Sequence, residues 1–218
     1  MGAERVEPYS MKNVLVTGGG GFVGTAIVRN LVDKGFRVRV AGRHTYKHLQ
    51  GLGVECLPGD IADKQYAESV CRNVDTVFHT AAKAGIWGKW AEYYNSNVAG
   101  TENIIAGCRK HGVPRLIYTS TPSVVFDNKS IEGEDERLPY PSKYLCYYAH
   151  TKVLAEKKVL ASSVGDLKTC AIRPHLIWGP GDPHLIPRLV ERGRKKALRI
   201  VGNGRNLVDI TFIDNVAH

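Results

Sequence analysis

A glycine-rich segment near the amino terminus constrains the fold of this chain more than any other feature. Gly18, Gly21 and Gly24 form the pattern G-x-x-G-x-x-G. They lie between Asn13–Thr17, a run rich in β-branched residues that predicts a strand, and residues 22–32, whose apolar side chains recur at helical spacing. The unpaired N–H groups at a helix N-terminus favour a bound pyrophosphate. The segment therefore predicts a dinucleotide site, and a ligand-free turn is the less favoured alternative.

Further apolar runs of strand length alternate with segments of helix length along the rest of the chain. The predicted strands are residues 37–41, 54–57, 76–80, 115–119 and 169–172. This alternation is typical of parallel strands joined by right-handed crossovers, so we predict an α/β fold with a doubly wound, Rossmann-type sheet. Residues 1–11 are predicted to form a flexible leader. Residues 12–218 are predicted to form a dinucleotide-binding domain of Rossmann type together with the start of a truncated substrate-binding region.

The composition excludes several other classes of protein. The 218 residues suffice for one substantial core, and no apolar run is long enough for a transmembrane segment. The five cysteines include no C-x-x-C pair, which argues against a disulfide framework and favours a reducing, cytoplasmic environment. Despite the net charge of +9, the densest basic stretch, residues 188–199, lacks interleaved aromatic side chains, so no nucleic-acid partner is predicted. His44 and His48 have metal-binding spacing but no third ligand, so no metal site is predicted.

The end of the second predicted strand indicates which nicotinamide dinucleotide the chain prefers. NAD enzymes place a carboxylate there to bind the adenosine ribose, whereas this chain has Gly42 followed by Arg43. A guanidinium group is suited to a charge-assisted hydrogen bond with the 2′-phosphate of NADP. We therefore favour NADP(H) over NAD(H) as the cofactor, the alternative being that Arg43 is an ordinary surface cation.

Tyr148 and Lys152 are the candidate proton-transfer pair. They are four residues apart, which places them on one face of a helix, and a helix is predicted through residue 160. A free tyrosine has a pKa of about 10, and a neighbouring cation lowers it toward neutrality. The fifth predicted strand ends in Ser120 and Thr121, whose hydroxyls reach the same edge of the sheet. A chance spacing on a helix surface, and a capping role for the two hydroxyls, are the alternatives.

These motifs together resemble the extended short-chain dehydrogenases/reductases and, within them, the 3β-hydroxysteroid dehydrogenase/isomerase family. The resemblance extends from about residue 13 to the end of the chain. It rests on TGGGGFVG at 17–24, GDI at 59–61, HTAA at 79–82, Asn97, Tyr148 with Lys152, Arg173 with Pro174, and GPGD at 179–182. Residues 82–88, 119–126 and 173–179 are further similar to 2-alkyl-3-oxoalkanoate reductases of olefin biosynthesis, which reduce a β-keto group.

The resemblance implies a role for each matching residue. Thr121 would be the catalytic hydroxyl with Ser120 as its fallback, Tyr148 the general acid/base, and Lys152 a further ligand of the nicotinamide ribose. Asn97 would be structural. Together with the glycine loop, the implied cofactor-binding residues are Gly18, Gly21, Phe22, Val23, Gly24, Asp60, Ile61, Ala81, Ala82, Lys83, Pro174 and His175.

The function implied is hydride transfer between a nicotinamide and a 3-oxo or 3-hydroxy group of a bulky apolar substrate. Because family members extend further, the substrate lobe is expected to be largely missing, and whether this chain is active stays open. A nucleotide-sugar epimerase or dehydratase and a non-catalytic NADP(H)-binding protein are the alternative functions. A homodimer is left open. Trp87 and Trp178 could each serve either in packing or in contact with the substrate, and the sequence does not choose between these roles.

Overall fold

The central sheet is built from the short apolar runs that the sequence places between helices. The computed structural model describes residues 12–200 and 202–218, so the predicted leader lies outside the described residues. The strands of the sheet are β1 (Asn13–Thr17), β2 (Arg37–Gly42), β3 (Glu55–Pro58), β4 (Thr76–His79), β5 (Arg115–Thr119) and β6 (Lys168–Ile172). All are parallel, in the order β3-β2-β1-β4-β5-β6. The predicted doubly wound sheet is confirmed, and each strand bound agrees to within one residue.

The helices connect these strands and cover the sheet. They are α1 (Phe22–Asp33), α2 (Lys47–Gln50), α3 (Lys64–Val70), α4 (Trp90–Tyr93), α5 (Gly100–Lys110), α6 (Tyr147–Ala161), α7 (Leu185–Arg194) and α8 (Ile213–Ala217). A π-helical segment, Tyr94–Ala99, joins α4 to α5. Neither described range contains a helix that is both long and apolar enough to cross a membrane.

A second, smaller sheet lies near the carboxyl-terminal end of the described residues. Its strands are β7 (Ile177–Trp178) and β8 (Thr211–Phe212), which pair in parallel. The sequence analysis did not predict either strand. Two residues are too few to produce a recognisable periodicity, so this pairing becomes visible only in three dimensions.

Alternate residues of β1 explain why helices pack on both faces of the main sheet. Val14 and Val16 lie in one buried cluster together with Ile27 and Val28 of α1. Leu15 lies in the other cluster, with buried residues of α3, α5 and α6. Successive side chains of a strand point to opposite faces, so a run that is apolar throughout requires cover on both sides.

The same topology fixes where a ligand can bind. The strand order reverses at the neighbouring strands β1 and β4, and their carboxyl ends leave a crevice at this switch point. The segments that follow β1, β2, β4, β5 and β6 contain most of the predicted site residues. They therefore lie along one edge of the sheet.

Candidate cofactor and proton-transfer site

The turn after β1 is closed tightly around Gly18. Its φ of +68° lies in the left-handed region that favours glycine. Its N–H donates to the carbonyl of Ala41 at 2.7 Å, and its own carbonyl accepts from the N–H of Gly21 at 2.9 Å. A Cβ atom at position 18 would lie 2.8 Å from the backbone of Ala81, so the turn and the segment after β4 are in direct contact.

The N-terminus of α1 is open to an anion. Gly21 is the residue before the helix, and no side chain of a described residue caps its first turn. A Cβ at Gly24 would collide with the carbonyl oxygen of Gly18, so this position admits no side chain. Phe22 and Val23 lie in the same turn. Free N–H groups with no Cβ in front of them fit the pyrophosphate of a dinucleotide.

Tyr46 occupies the space beyond β2 where a carboxylate was sought. A Cβ at Gly42 would lie 2.5 Å from the hydroxyl oxygen of Tyr46, and a Cβ at Gly20 would collide with the same ring. An acidic residue at position 42 is therefore incompatible with this placement of Tyr46. Arg43 follows, exposed, and forms no ion pair with any described residue. The sequence analysis missed Tyr46, because its ring packs against Gly20 in the distant turn after β1 as well as against Gly42.

The residues after β3 and β4 take up different positions. Asp60 is exposed, and its carboxylate accepts from the N–H of Ala62 at 2.9 Å. The side chain of Ile61 is buried in the core, and its carbonyl accepts from Nδ2 of Asn103 at 3.0 Å. Ala81 contacts the glycine turn, and Ala82 beside it is exposed.

Asn97 joins the segment after β4 to helix α6. Its Oδ1 accepts from the N–H of Lys83 at 2.7 Å, and its Nδ2 donates to the carbonyl of Lys83 at 3.1 Å and to Oγ1 of Thr151 at 3.0 Å. Asn97 is buried and sits in the π-helical segment. It thus has the structural contacts that the resemblance implies. The ammonium of Lys83 forms an ion pair with Glu92 at 3.0 Å.

Thr121 and Tyr148 are brought together at the edge of the sheet. The side chain of Thr121 lies beside the phenol of Tyr148. Its hydroxyl donates to Oγ of Ser123 at 3.2 Å and accepts from the N–H of Ser123 at 3.3 Å, which caps a short 3₁₀ turn. Both the capping role and the predicted proximity are therefore present. Burial raises the pKa of Tyr148, and the neighbouring Thr121 hydroxyl acts in the opposite direction. Ser120 is engaged elsewhere, because its hydroxyl donates to Glu156.

Lys152 is 2% exposed and lies under the end of β5. Its Nζ donates to the carbonyl of Thr119 at 2.6 Å and lies 4.0 Å from the centre of the Tyr118 ring. Burial lowers the pKa of Lys152 to about 7, opposed by the charge of Glu156. The expected lowering of the pKa of Tyr148 by Lys152 is not found. Burial dominates at the phenol, and the ammonium is directed at the Thr119 carbonyl instead.

Pro174 and His175 follow β6, beside the segment that contains Thr121. The N–H of Ser120 donates to the carbonyl of Ile172 at 2.7 Å, which holds these two strand ends together. Pro174 and His175 are half-buried. The predicted residues thus extend along the sheet edge from Arg43 and Asp60 on one side to Pro174 on the other, an elongated arrangement that suits a dinucleotide.

The sequence was compared with those of known protein families. Residues 15–218 match the 3-beta hydroxysteroid dehydrogenase/isomerase family. The chain belongs to this family. The match covers the glycine turn, the segment after β4, Tyr148, Lys152 and the segment after β6, so the resemblance predicted from the motifs is confirmed at the level of the family.

Two curated relatives show which members of the family this chain is similar to. The chain is 50% identical over 206 residues to a 2-alkyl-3-oxoalkanoate reductase of Stenotrophomonas maltophilia, covering 94% of this chain and 62% of that protein. It is 38% identical over 221 residues to the sterol-4-alpha-carboxylate 3-dehydrogenase (decarboxylating) of Homo sapiens, covering 99% of this chain and 58% of that protein. The chain therefore spans about three fifths of the length of these relatives.

A solved structure supports the same fold. MoeE5 in complex with UDP-glucuronic acid and NAD is 31% identical, with a TM-score of 0.78 over 94% of this chain and 69% of the other. The six-stranded sheet and its flanking helices thus form a Rossmann-type fold.

Proposed function

We propose that this chain binds a nicotinamide dinucleotide and that the protein to which it belongs is an NAD(P)-dependent oxidoreductase acting on a 3-oxo or 3-hydroxy group. The observation that carries the proposal is the proximity of Thr121 and Tyr148 at the same sheet edge as the uncapped N-terminus of α1. Thr121 and Tyr148 are suited to binding a substrate oxygen, and the N-terminus of α1 is suited to binding a pyrophosphate.

Each residue of the centre has a task in the reducing direction. The nicotinamide, when bound, supplies the hydride. Tyr148 keeps a proton on its phenol at neutral pH and can donate it to the substrate oxygen. Thr121 lies beside the phenol and can turn its hydroxyl proton from Ser123 to donate a second hydrogen bond to the same oxygen.

An apolar substrate is supported by exposed side chains near the start of α6. Trp87 is 86% exposed, and Ile86 and Leu145 are exposed as well. The segment that contains Ile86 and Trp87 lies beside α6, because the centre of the nearby Trp90 ring is 5.4 Å from that of Tyr147 in α6. Large apolar side chains grouped beside a polar centre are typical of sites for bulky apolar ligands. The name 2-alkyl-3-oxoalkanoate reductase, carried by a relative, fits this surface, and we propose a substrate of that type or a 3β-hydroxysteroid.

Trp178 has a packing role and is not assigned to the substrate. Its ring packs against Phe212 with 5.1 Å between the centres, in an edge-to-face arrangement between β7 and β8. This is a packing contact within the smaller sheet. Trp87 is therefore the tryptophan that we assign to the substrate.

We further propose that the cofactor is NADP(H). The support is the position of Tyr46, which leaves no room for a carboxylate side chain at position 42, together with the exposed guanidinium of Arg43 immediately after it. An exposed cation with no ion-pair partner among the described residues is available to a 2′-phosphate.

The proposed function is tested with the purified protein, NADPH or NADH, and a panel of 2-alkyl-3-oxoalkanoic acids, 3-oxosteroids and UDP-sugars. We expect NADPH oxidation, read at its nicotinamide absorbance, with one of the first two classes. A protein that binds neither NADPH nor NADH would contradict the proposal. Binding without turnover of any class would favour the non-catalytic NADP(H)-binding protein that the sequence analysis left open.

A nucleotide-sugar epimerase or dehydratase is the second candidate. It is favoured by the 31% identity with MoeE5, whose structure holds UDP-glucuronic acid and NAD. Arg188 and Arg192 of α7 are exposed and would bind the pyrophosphate of such a substrate. Tightly retained NAD in the purified protein, with conversion of a UDP-sugar and no net nicotinamide oxidation, would identify this function. A cytoplasmic location and a homodimer stay predictions.

A further inference from the structure

Glu156 is a buried carboxylate on the catalytic helix. It lies one turn after Lys152 in α6, and its side chain is 0% exposed. A carboxylate removed from water is strongly destabilising unless hydrogen bonds and an opposite charge replace its hydration. The proposed chemistry assigns Glu156 no part, so the partners that stabilise it indicate what it does.

Three side chains from three different segments surround this carboxylate. Arg173 donates to Oε1 through Nη2 at 2.5 Å and through Nε at 3.1 Å. Tyr140 donates its hydroxyl to Oε1 at 2.8 Å, and Ser120 donates to Oε2. Burial would raise the pKa of Glu156, but these hydrogen bonds bring it below its ordinary value, so the group is an anion at neutral pH.

The partners of Glu156 adjoin the residues of the proposed centre. Ser120 directly precedes Thr121, and Arg173 directly precedes Pro174. Tyr140 lies in the segment before α6, and its ring also lies 5.8 Å from the guanidinium of Arg173. The carboxylate therefore fixes the ends of β5 and β6 against the helix that bears Tyr148.

Glu156 also acts on the charge of Lys152. The other groups that face this ammonium are the carbonyl of Thr119 and the rings of Tyr118 and His79. The His79 ring is uncharged near neutral pH, since burial lowers its pKa to about 3, and burial raises the pKa of Tyr118 well above its ordinary value. Among the described residues, Glu156 is therefore the anion that stabilises the ammonium.

We propose that Glu156 is a positioning residue that fixes the segments bearing Thr121 and Pro174 against α6 and keeps Lys152 in its ammonium form for the cofactor. The inference rests on the proposed function, because it assumes that Lys152 contacts the nicotinamide ribose. Loss of the carboxylate charge thus weakens cofactor binding at alkaline pH, whereas loss of an ion pair that serves only the fold does not shift that pH dependence.

The test is the pH dependence of the dissociation constant for NADPH, or for NADH if the chain prefers it. The constant is measured by nicotinamide fluorescence from about pH 6 to about pH 10, without substrate. In E156Q we expect the weakening on the alkaline side to begin about one pH unit lower than in the unmodified protein. In E156D, which retains the charge, we expect it to begin where it does in the unmodified protein.

E102Q is the matched control. Glu102 of α5 forms an ion pair with Lys158 of α6 at 2.5 Å, so the variant removes the same charge from a contact with the same helix. That pair is exposed and distant from the sheet edge along α6. We expect its pH dependence to match that of the unmodified protein.

Each outcome decides between explanations. If E156Q binds with an unshifted pH dependence, the role of Glu156 at Lys152 is disproved and the proposed function stands. If the unmodified chain binds no nicotinamide dinucleotide, the proposed function fails and this inference with it. Should E156Q not fold, the double variant E156Q/R173M removes both buried charges, an exchange that proteins tolerate, and the same shift is expected.

Discussion

The ammonium group of Lys152 donates a hydrogen bond to the backbone carbonyl of Thr119, with 2.6 Å between the two atoms. This bond ties helix α6 to the last residue of β5. Thr121 follows two residues later and lies beside Tyr148, which is one turn before Lys152 in α6. The bond from Lys152 therefore helps to hold the end of β5 and Thr121 beside the phenol.

Replacing Tyr148 by phenylalanine should remove the proton donor. Because general acid catalysis contributes about 100-fold or more, we expect kcat for NADPH-dependent reduction to fall by at least about 100-fold while cofactor affinity stays within about twofold. Tyr147→Phe is the control, since Tyr147 is the neighbouring, half-exposed tyrosine of the same helix. Full activity in Tyr148→Phe would refute the assigned role.

The buried ammonium of Lys152 should make the stability of the chain depend on pH. Its folded pKa of about 7 lies below the ordinary value of 10.5, so the unfolded state binds more protons between these two values. The free energy of unfolding should therefore rise with pH across this window, by about 2 kcal/mol between about pH 7 and about pH 9, relative to Lys152→Met.

Urea unfolding at several pH values measures this difference. Lys157→Met, at an exposed position of the same helix, is the control and should follow the unmodified protein. Parallel pH curves for the unmodified protein and Lys152→Met would show that the ammonium is not destabilised by burial.

Replacing Arg43 by alanine should affect one cofactor only. A charge-assisted hydrogen bond contributes about 1.5–3 kcal/mol, so the dissociation constant for NADPH should rise about tenfold or more while that for NADH stays unchanged. Arg37→Ala is the control, because Arg37 is an exposed arginine at the opposite end of the same strand. An equal loss for both cofactors, or none for NADPH, would contradict the preference for NADP(H).

Gly18 and Gly35 form a natural pair for testing the glycine turn. Both have positive φ, +68° and +81°, but a Cβ at Gly18 would meet the backbone of Ala81 at 2.8 Å, whereas a Cβ at Gly35 would meet nothing within 4 Å. Gly35→Ala should therefore lower the free energy of unfolding by about 1 kcal/mol, from backbone strain alone.

Gly18→Ala should lower that free energy further and should also abolish measurable binding of NADPH, because the turn must open to admit the methyl group. Chemical unfolding and a fluorescence titration measure the two effects. Equal destabilisation by the two substitutions, with NADPH binding retained in both, would show that the contact with Ala81 is unimportant.

Local patterns predicted a large part of this fold. The strands were visible because each is a short apolar run, and α1 was visible because Ile27, Val28 and Leu31 recur at helical spacing and Gly35 follows the helix end. Tyr148 and Lys152 were identified by spacing on one helix. Each of these signals depends only on residues that are close together in the sequence.

Contacts between distant segments were not predictable in this way. Glu156 could have been suspected from its four-residue spacing to Lys152, but its partners Ser120, Tyr140 and Arg173 lie on three other segments. The contact of the Tyr46 ring with Gly20 and the pairing of β7 with β8 likewise join segments that are distant in the sequence.

The sequence by itself determined the order of strands and helices, the glycine turn and the residues that compose the candidate centre, because periodicity and turn chemistry are local properties. Only the tertiary structure decided which hydroxyl meets Tyr148. Ser120 and Thr121 are adjacent and chemically alike, but packing of α6 against β5 and β6 directs Ser120 to the buried Glu156 and leaves Thr121 for the phenol. Burial, which a sequence does not display, also set the charges of the pair: it raises the pKa of Tyr148 and lowers that of Lys152.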